Sequence, residues 1–276
     1  MREFFTELEK LLQLETPKEK ISQFKIFYEL YLQNNLSFDH DQSSKIFTLP
    51  SFDNYCNTVD AKTMPKRTAL STTQGKAYMV HAIAHIEYSA IDLALDHAYR
   101  YKNMPKAFYD DWLEVADDEV RHFLMLEVLL VEHGYKYGDF GVHSFLFDIS
   151  MKSLELVTRM ATVPRYLEAS GLDSNPKMIE KLGNINDDFA RDIVKALKVI
   201  LEEEVSHVKK GDYWFKWACE RENVNPDEYF NIVEKVLPGA KKTKPYVNIK
   251  DRQKAGFSCA EISVLTDEKC EDESVK

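Results

Sequence analysis

The sequence predicts an all-α protein: a four-helix bundle with an N-terminal helical extension and a C-terminal tail. Three observations predict it. Glycine and proline are sparse, nine of each in 276 residues, while 30% of the residues are charged. Apolar residues recur at spacings of three and four through four long stretches, the period of a helix that buries one face. Two of those stretches contain Glu-x-x-His, at Glu119–His122 and at Glu204–His207. A step of three places carboxylate and imidazole on one helix face, a turn apart.

Residues 1–72 form the extension. Two short amphipathic helices fill the first 36 residues, the second opened by Thr16 and Pro17, a capping residue followed by proline in the first turn. Residues 37–72 hold Pro50, Pro65 and many Ser, Thr, Asn and Asp, and read as irregular connection. The bundle occupies 73–222. Its first helix runs from Thr73 to Tyr101 and stops before Pro105, and its second runs from Lys106 to His133 and stops at Gly134. After a loop over 135–144, the third covers 144–169 and closes at Gly171. Pro164 lies inside it and should kink it or force a bulge, because the ring removes a backbone donor. A short helix over Pro176–Leu182 precedes the fourth, Asn186–Glu222. The segment 223–276 has a basic stretch (KKTK), an ordered part through Phe257 and an acidic end with the composition of a disordered tail.

Composition excludes several functions. A net charge of −10 is unsuited to tracking a nucleic-acid backbone or an anionic membrane. No stretch approaches the roughly 18 apolar residues that a membrane span needs. MREFFTELEKLL lacks the apolar core of a signal peptide and carries acidic residues, so a cytoplasmic protein is expected. Cys56, Cys219, Cys259 and Cys270 are scattered without Cys-x-x-Cys and read as reduced thiols.

The apolar stripes carry few polar members, and those members share one chemistry. Glu87 sits among Ile83, Ala90, Ile91, Ala94 and Ala98. Glu119 and His122 interrupt Trp112, Val115, Ala116, Phe123, Leu126 and Leu130. Glu204 and His207 interrupt Ile193, Ala196, Ile200, Val208, Gly211 and Phe215, and Glu168 ends the row Leu154, Val157, Ala161, Pro164. An ionised carboxylate in an apolar interior costs several kcal/mol even after relaxation. Two divalent cations would neutralise the four glutamates, with His122 and His207 completing the shell. Oxygen-rich donors with one imidazole per metal suit iron or manganese better than structural zinc. One Glu from each of two helices plus Glu-x-x-His from each of the other two is the donor set of a bundle-embedded dimetal site.

Neighbouring residues have humbler expected roles. Asp118 and Glu203 are placed to orient the imidazoles, or simply to face solvent. His81, His85 and Tyr88 fall beside the Glu87 stripe and suit packing, His97 and His133 suit helix ends near solvent, and His143 lies on the loop. Tyr109, Tyr166 and Trp214 suit the aromatic core.

HAIAHIEYSAIDLALD (81–96), DDEVRHF (117–123), YGDF (137–140), VPRYLEASGLD (163–173) and EEEVSHVKKG (202–211) resemble a bacterial family of ferritin-like proteins catalogued as a domain of unknown function. The likeness runs from Met64 to Glu222, and NIKDRQKAGFS (248–258) resembles the family's C-terminal segment. It implies a ferritin-like four-helix bundle, with the superfamily's dimetal ligands falling on Glu87, Glu119, His122, Glu168, Glu204 and His207. Two iron ions are the implied cofactor, with manganese or a mixed iron/manganese pair as alternatives. The leading expectation is a di-iron oxidoreductase acting with dioxygen or peroxide on a small-molecule substrate, served by an electron-donor protein. Ferroxidase or iron-handling activity, and a metal-free helical interaction module, are the alternatives.

Overall fold

The computed structural model describes residues 2–64 and 69–271. It is all-α, a helical-bundle fold, with one two-stranded ribbon among the described residues. The chain divides into two compact units, Met1–Phe147 and Asp148–Lys276. Among the described residues no helix is long and apolar enough to cross a membrane.

In the first unit, β1 (Arg2–Glu3) pairs in parallel with β2 (Leu36–Ser37) and brackets α1 (Phe4–Leu12) and α2 (Pro17–Leu32). Thr16 caps α2 by accepting from the Glu19 N–H, with Pro17 in the first turn as expected. The long helices α3 (Thr73–Arg100) and α4 (Lys106–Glu132) form a hairpin. Two backbone bonds end α4, Tyr135 N–H to the Leu130 carbonyl at 2.9 Å and Gly134 N–H to the Val131 carbonyl at 3.1 Å. Helix α3 is buried on nearly all sides, with α4 and α1 packed against it. Lys20 of α2 is fully buried against it, its ammonium bonded to Asp92 and, at 2.6 Å, to Ser51 Oγ.

Helix α5 (Phe145–Lys152) leads into the second unit, where the expected third helix proves to be several pieces. Fully buried Arg159 donates to the carbonyls of Ser153 and Ser150, both at 2.8 Å, capping the end of α5. Helix α6 (Leu156–Met160) passes into a π-helical stretch, Ala161–Leu167, around Pro164. There the Glu168 N–H reaches back five residues to Val163 at 3.3 Å, the bulge that the proline demands.

Gly171 does not close this helix, and Pro176 does not open a new one. Both lie within α7 (Ala169–Gly183). Proline leaves the carbonyl four residues back without a helical donor, and the Asn248 side-chain amide fills that place, bonding the Leu172 carbonyl at 3.2 Å. Helix α8 (Asp188–Glu222) is capped by Asp187 and packs on the π stretch. A Cβ at Gly211 would lie 2.8 Å from Pro164 Cβ, so only glycine admits this approach.

The C-terminal segment is more ordered than its composition suggests. It forms α9 (Tyr229–Val236), α10 (Ile249–Lys254) and α11 (Cys259–Ser263), while residues 272–276 of the acidic end lie outside the described set. Cys259 and Cys270 are joined in a disulfide, which corrects the expectation of reduced thiols there; Cys56 and Cys219 are free and buried. The pair escapes sequence reading because nothing in a spacing of 11 distinguishes a closed loop from two unrelated thiols.

Two buried arginines fasten this segment. Arg252 grips Asp173 with bonds of 2.9 and 2.7 Å and donates to the Ala169 carbonyl at 3.1 Å, while Lys244 reaches the same carboxylate at 3.0 Å. Arg165 bonds Asp212 at 2.8 Å and Glu261 at 2.7 Å, beneath the ring of Tyr229. Burial by itself raises the Asp173 carboxyl, but the bonds and charge of Arg252 and the charge of Lys244 more than reverse this and hold it below the usual range.

Asp173→Asn leaves Arg252 buried without its counter-charge and should cost about 3–5 kcal/mol in denaturant unfolding at neutral pH. A depressed native pKa contributes stability above the unfolded value, near 3.9, that is lost as pH falls through the native value. The gap between wild type and variant should therefore narrow below about pH 4. A gap independent of pH would show that the ion pair contributes nothing.

Candidate metal centre

The apolar stripe of α3 turns Glu87 inward and that of α4 turns Glu119 and His122 inward; all three are buried. His122 Nδ1 lies 3.1 Å from Glu87 Oε2 and 3.4 Å from Glu119 Oε2. Burial disfavours a charged imidazole, but the hydrogen bonds and charges of Glu119 and Glu87 prevail and push His122 up to about 12. A proton on His122 thus occupies the place between two carboxylates where a metal's positive charge would serve.

On α8, Glu204 and His207 are likewise buried, one turn apart. Glu168 follows the π stretch directly and is half-buried. Glu87, Glu119, His122 and Glu204 form a buried group whose ligand atoms all lie within 4.8 Å of one another, a group able to hold a metal ion. Glu168 and His207 lie outside those four. Three carboxylates and an imidazole are hard oxygen donors with one nitrogen, a set that fits iron or manganese.

The surrounding histidines are occupied elsewhere. Tyr137 Oη lies 2.8 Å from His85 Nδ1, and His85 Nε2 lies 3.0 Å from the His143 carbonyl oxygen. A carbonyl only accepts, so Nε2 carries the ring proton and Nδ1 accepts from the phenol. Burial lowers His85 to about 4, and lowers His81 likewise to about 4, so both rings are neutral. His81 Nε2 accepts the Gly138 N–H at 2.9 Å. The two histidines, one turn apart on α3, thereby hold the loop 135–143 against the helix that carries Glu87. His143 contributes its carbonyl to this clamp, while its ring nitrogen accepts the Phe145 N–H at 3.4 Å.

His97, expected near solvent, is fully buried against the Trp112 ring at 4.4 Å; half-buried His133 does end α4. Asp118 is half-buried and ion-paired with Arg121, and Glu203 is half-buried. Tyr109 packs on Phe4 and Phe5, Tyr166 donates to the Ala240 carbonyl, and Trp214 packs among Tyr213 and Trp217. The Tyr137–His85 pair was missed in the sequence. Its signal was the i,i+4 histidine step at His81 and His85, but nothing local told that a loop fifty residues away would meet it.

Residues 13–263 match a family model described as a protein of unknown function (DUF455). The chain belongs to this family. It is similar to an uncharacterized protein of Haemophilus influenzae, 35% identical over 224 residues that cover 77% of this chain and 76% of the relative. No solved structure matches it. The buried ligand group therefore carries the functional reading of this DUF455 member.

Glu119→Gln and Glu204→Gln should each weaken iron(II) or manganese(II) binding by more than the about 10–100-fold typical of residues that only support a ligand. His143→Ala, which keeps the carbonyl of the clamp, should change it by less than about tenfold. Equilibrium dialysis with metal analysis reads all three, and equal losses with folding intact would mean that the ligand set is wrongly drawn.

Proposed function

We propose that the protein is a non-haem dimetal oxidoreductase of the ferritin-like type, holding two iron ions and using dioxygen or peroxide to oxidise a small-molecule substrate. The observation that carries this reading is the buried group Glu87, Glu119, His122 and Glu204, three carboxylates and an imidazole whose ligand atoms lie within 4.8 Å of one another. Glu87, Glu119 and His122 would hold one metal. Glu204 with His207 and Glu168, the matching positions of the second Glu-x-x-His helix and its neighbour, would hold the other. A manganese pair or a mixed pair fits the same donors.

When bound, the metal pair supplies the redox chemistry. The chain's own contribution is positioning and exclusion. Glu87 and Glu119 would each offer carboxylate oxygens to hold the metals. His122 gives up its proton to bind, so uptake should release protons. Trp112, Phe123, Leu126 and Leu130 are buried on the α4 stripe that carries Glu119 and His122 and would help keep bulk water from it. Electrons for dioxygen activation would come from an electron-donor protein.

Native or anaerobically reconstituted protein should contain about two iron or manganese ions per chain. The reduced form should develop an absorption band on exposure to dioxygen. Each filled site at a free metal concentration 100 times Kd adds about 2.7 kcal/mol, so the loaded protein should melt at least about 5 °C above the metal-free one. A folded protein that retains neither metal would end this reading. A large particle with many irons per chain would move it to iron storage.

A further inference from the structure

The two bonded cysteines of the second unit differ from the free ones in being within reach of solvent. Cys56 and Cys219 are buried, whereas Cys259 and Cys270 are each half-buried. The Gln253 side-chain amide contacts both of their sulfurs at 3.5 Å and donates to the Glu271 carbonyl at 2.8 Å. A disulfide opens when a thiolate attacks one sulfur and the other leaves as thiolate, and a donor beside the leaving sulfur favours that step. Because the amide touches both sulfurs, it serves whichever one leaves.

The loop that the bond closes carries a carboxylate that answers a buried arginine. Glu261, on α11, divides its oxygens: Oε1 lies 2.7 Å from Arg165 Nη2, and Oε2 accepts the Ser258 N–H at 2.9 Å. Further along, the Leu265 carbonyl accepts the Lys244 N–H at 2.7 Å. Arg165 has a second carboxylate, Asp212 at 2.8 Å. Stripping a buried cation of its only counter-charge is strongly destabilising, but here the departure of Glu261 leaves the arginine paired. The loop can open while the helices beneath it stay folded.

We propose that Cys259–Cys270 is a thiol–disulfide exchange site, a latch that a dithiol reductant opens and that sets how firmly α11 holds Glu261 against Arg165. One thiolate of the dithiol bonds a sulfur of the pair, and the other sulfur leaves with the electrons of the broken bond. The second thiol of the reductant then closes on the first and expels the remaining cysteine sulfur. The dithiol ends as a disulfide, having given two electrons, and its two protons pass to Cys259 and Cys270. Linking positions 11 residues apart makes the open loop about 100-fold less populated than it is without the bond. Reduction removes that factor.

The whole chain, folded at neutral pH, is treated with dithiothreitol, and the freed thiols are alkylated and counted by mass. The pair should be reduced at a rate proportional to the dithiol concentration. A rate that levels off at that of protein unfolding would mean that the bond is closed to attack in the folded chain, and would overturn the exchange site. Hydrogen exchange read by mass spectrometry should run more than about tenfold faster over 259–271 after reduction, while the amides of α8 change less than about twofold. The double variant Cys259→Ser/Cys270→Ser should exchange like the reduced wild type, with or without dithiol. Protection of 259–271 that reduction leaves unchanged would overturn the latch. Glu261→Gln reads the link to Arg165: it should lower the thermal melt of the oxidised chain by more than that of the reduced chain, where the ion pair is already loosened. Equal shifts in the two would refute the link.

Discussion

Burying a charge obliges a fold to bury its answer, and most of this molecule is arranged around that obligation. Lys20 meets Asp92, Arg252 meets Asp173, and Arg165 meets both Asp212 and Glu261. Each is a matched set, and removing one member of such a set costs far more than the set contributes. In the group Glu87, Glu119, His122 and Glu204, three carboxylates and an imidazole bring their ligand atoms within 4.8 Å of one another. That convergence, more than the presence of acidic residues, makes this group able to hold a cation.

The same constraint explains the architecture of the second unit. A proline at 164 and another at 176 would ordinarily divide this stretch into separate helices. The first is absorbed by a π bulge that lets Gly211 of α8 come close, and the second by the Asn248 amide. Asn248 and Arg252 lie on the same C-terminal segment and serve the same helix, one supplying a hydrogen bond that proline withholds, the other a charge that Asp173 needs. That segment is therefore an integral wall of its unit. The Cys259–Cys270 bond closes its last loop, and the Gln253 amide contacts both sulfurs at 3.5 Å.

What was legible in the sequence was whatever depended on neighbours three or four residues away. The limits of α3, α4 and α8 fall within about two residues of their expected positions because caps, prolines and the Gly134 stop are local signals. The burial of Glu87, Glu119, His122, Glu204 and His207 was readable for the same reason, since each lies on a continuous apolar stripe. The misses depended on distant partners. Gly171 and Pro176 read as boundaries because nothing nearby announces Asn248. His97 sits in the last turn of α3, a solvent position until Trp112 covers it. Lys20 shares a face with Pro17, Ile21 and Phe24 and could have been noticed there, but a long lysine on a helix usually turns outward.

The clamp at His81 and His85 helps set the orientation of the ligands. Glu87 can approach His122 to within 3.1 Å only if α3 keeps a fixed rotation about its axis, and apolar packing alone specifies rotation loosely. Directional bonds specify it better. Loop 135–143 supplies them from the end of α4 itself: Gly138 to His81, Tyr137 to His85, and the His143 carbonyl to the far nitrogen of His85. The helix that presents Glu119 and His122 thus continues into the loop that orients the helix presenting Glu87. Because both rings are neutral and buried, this orientation does not depend on protonation near physiological pH.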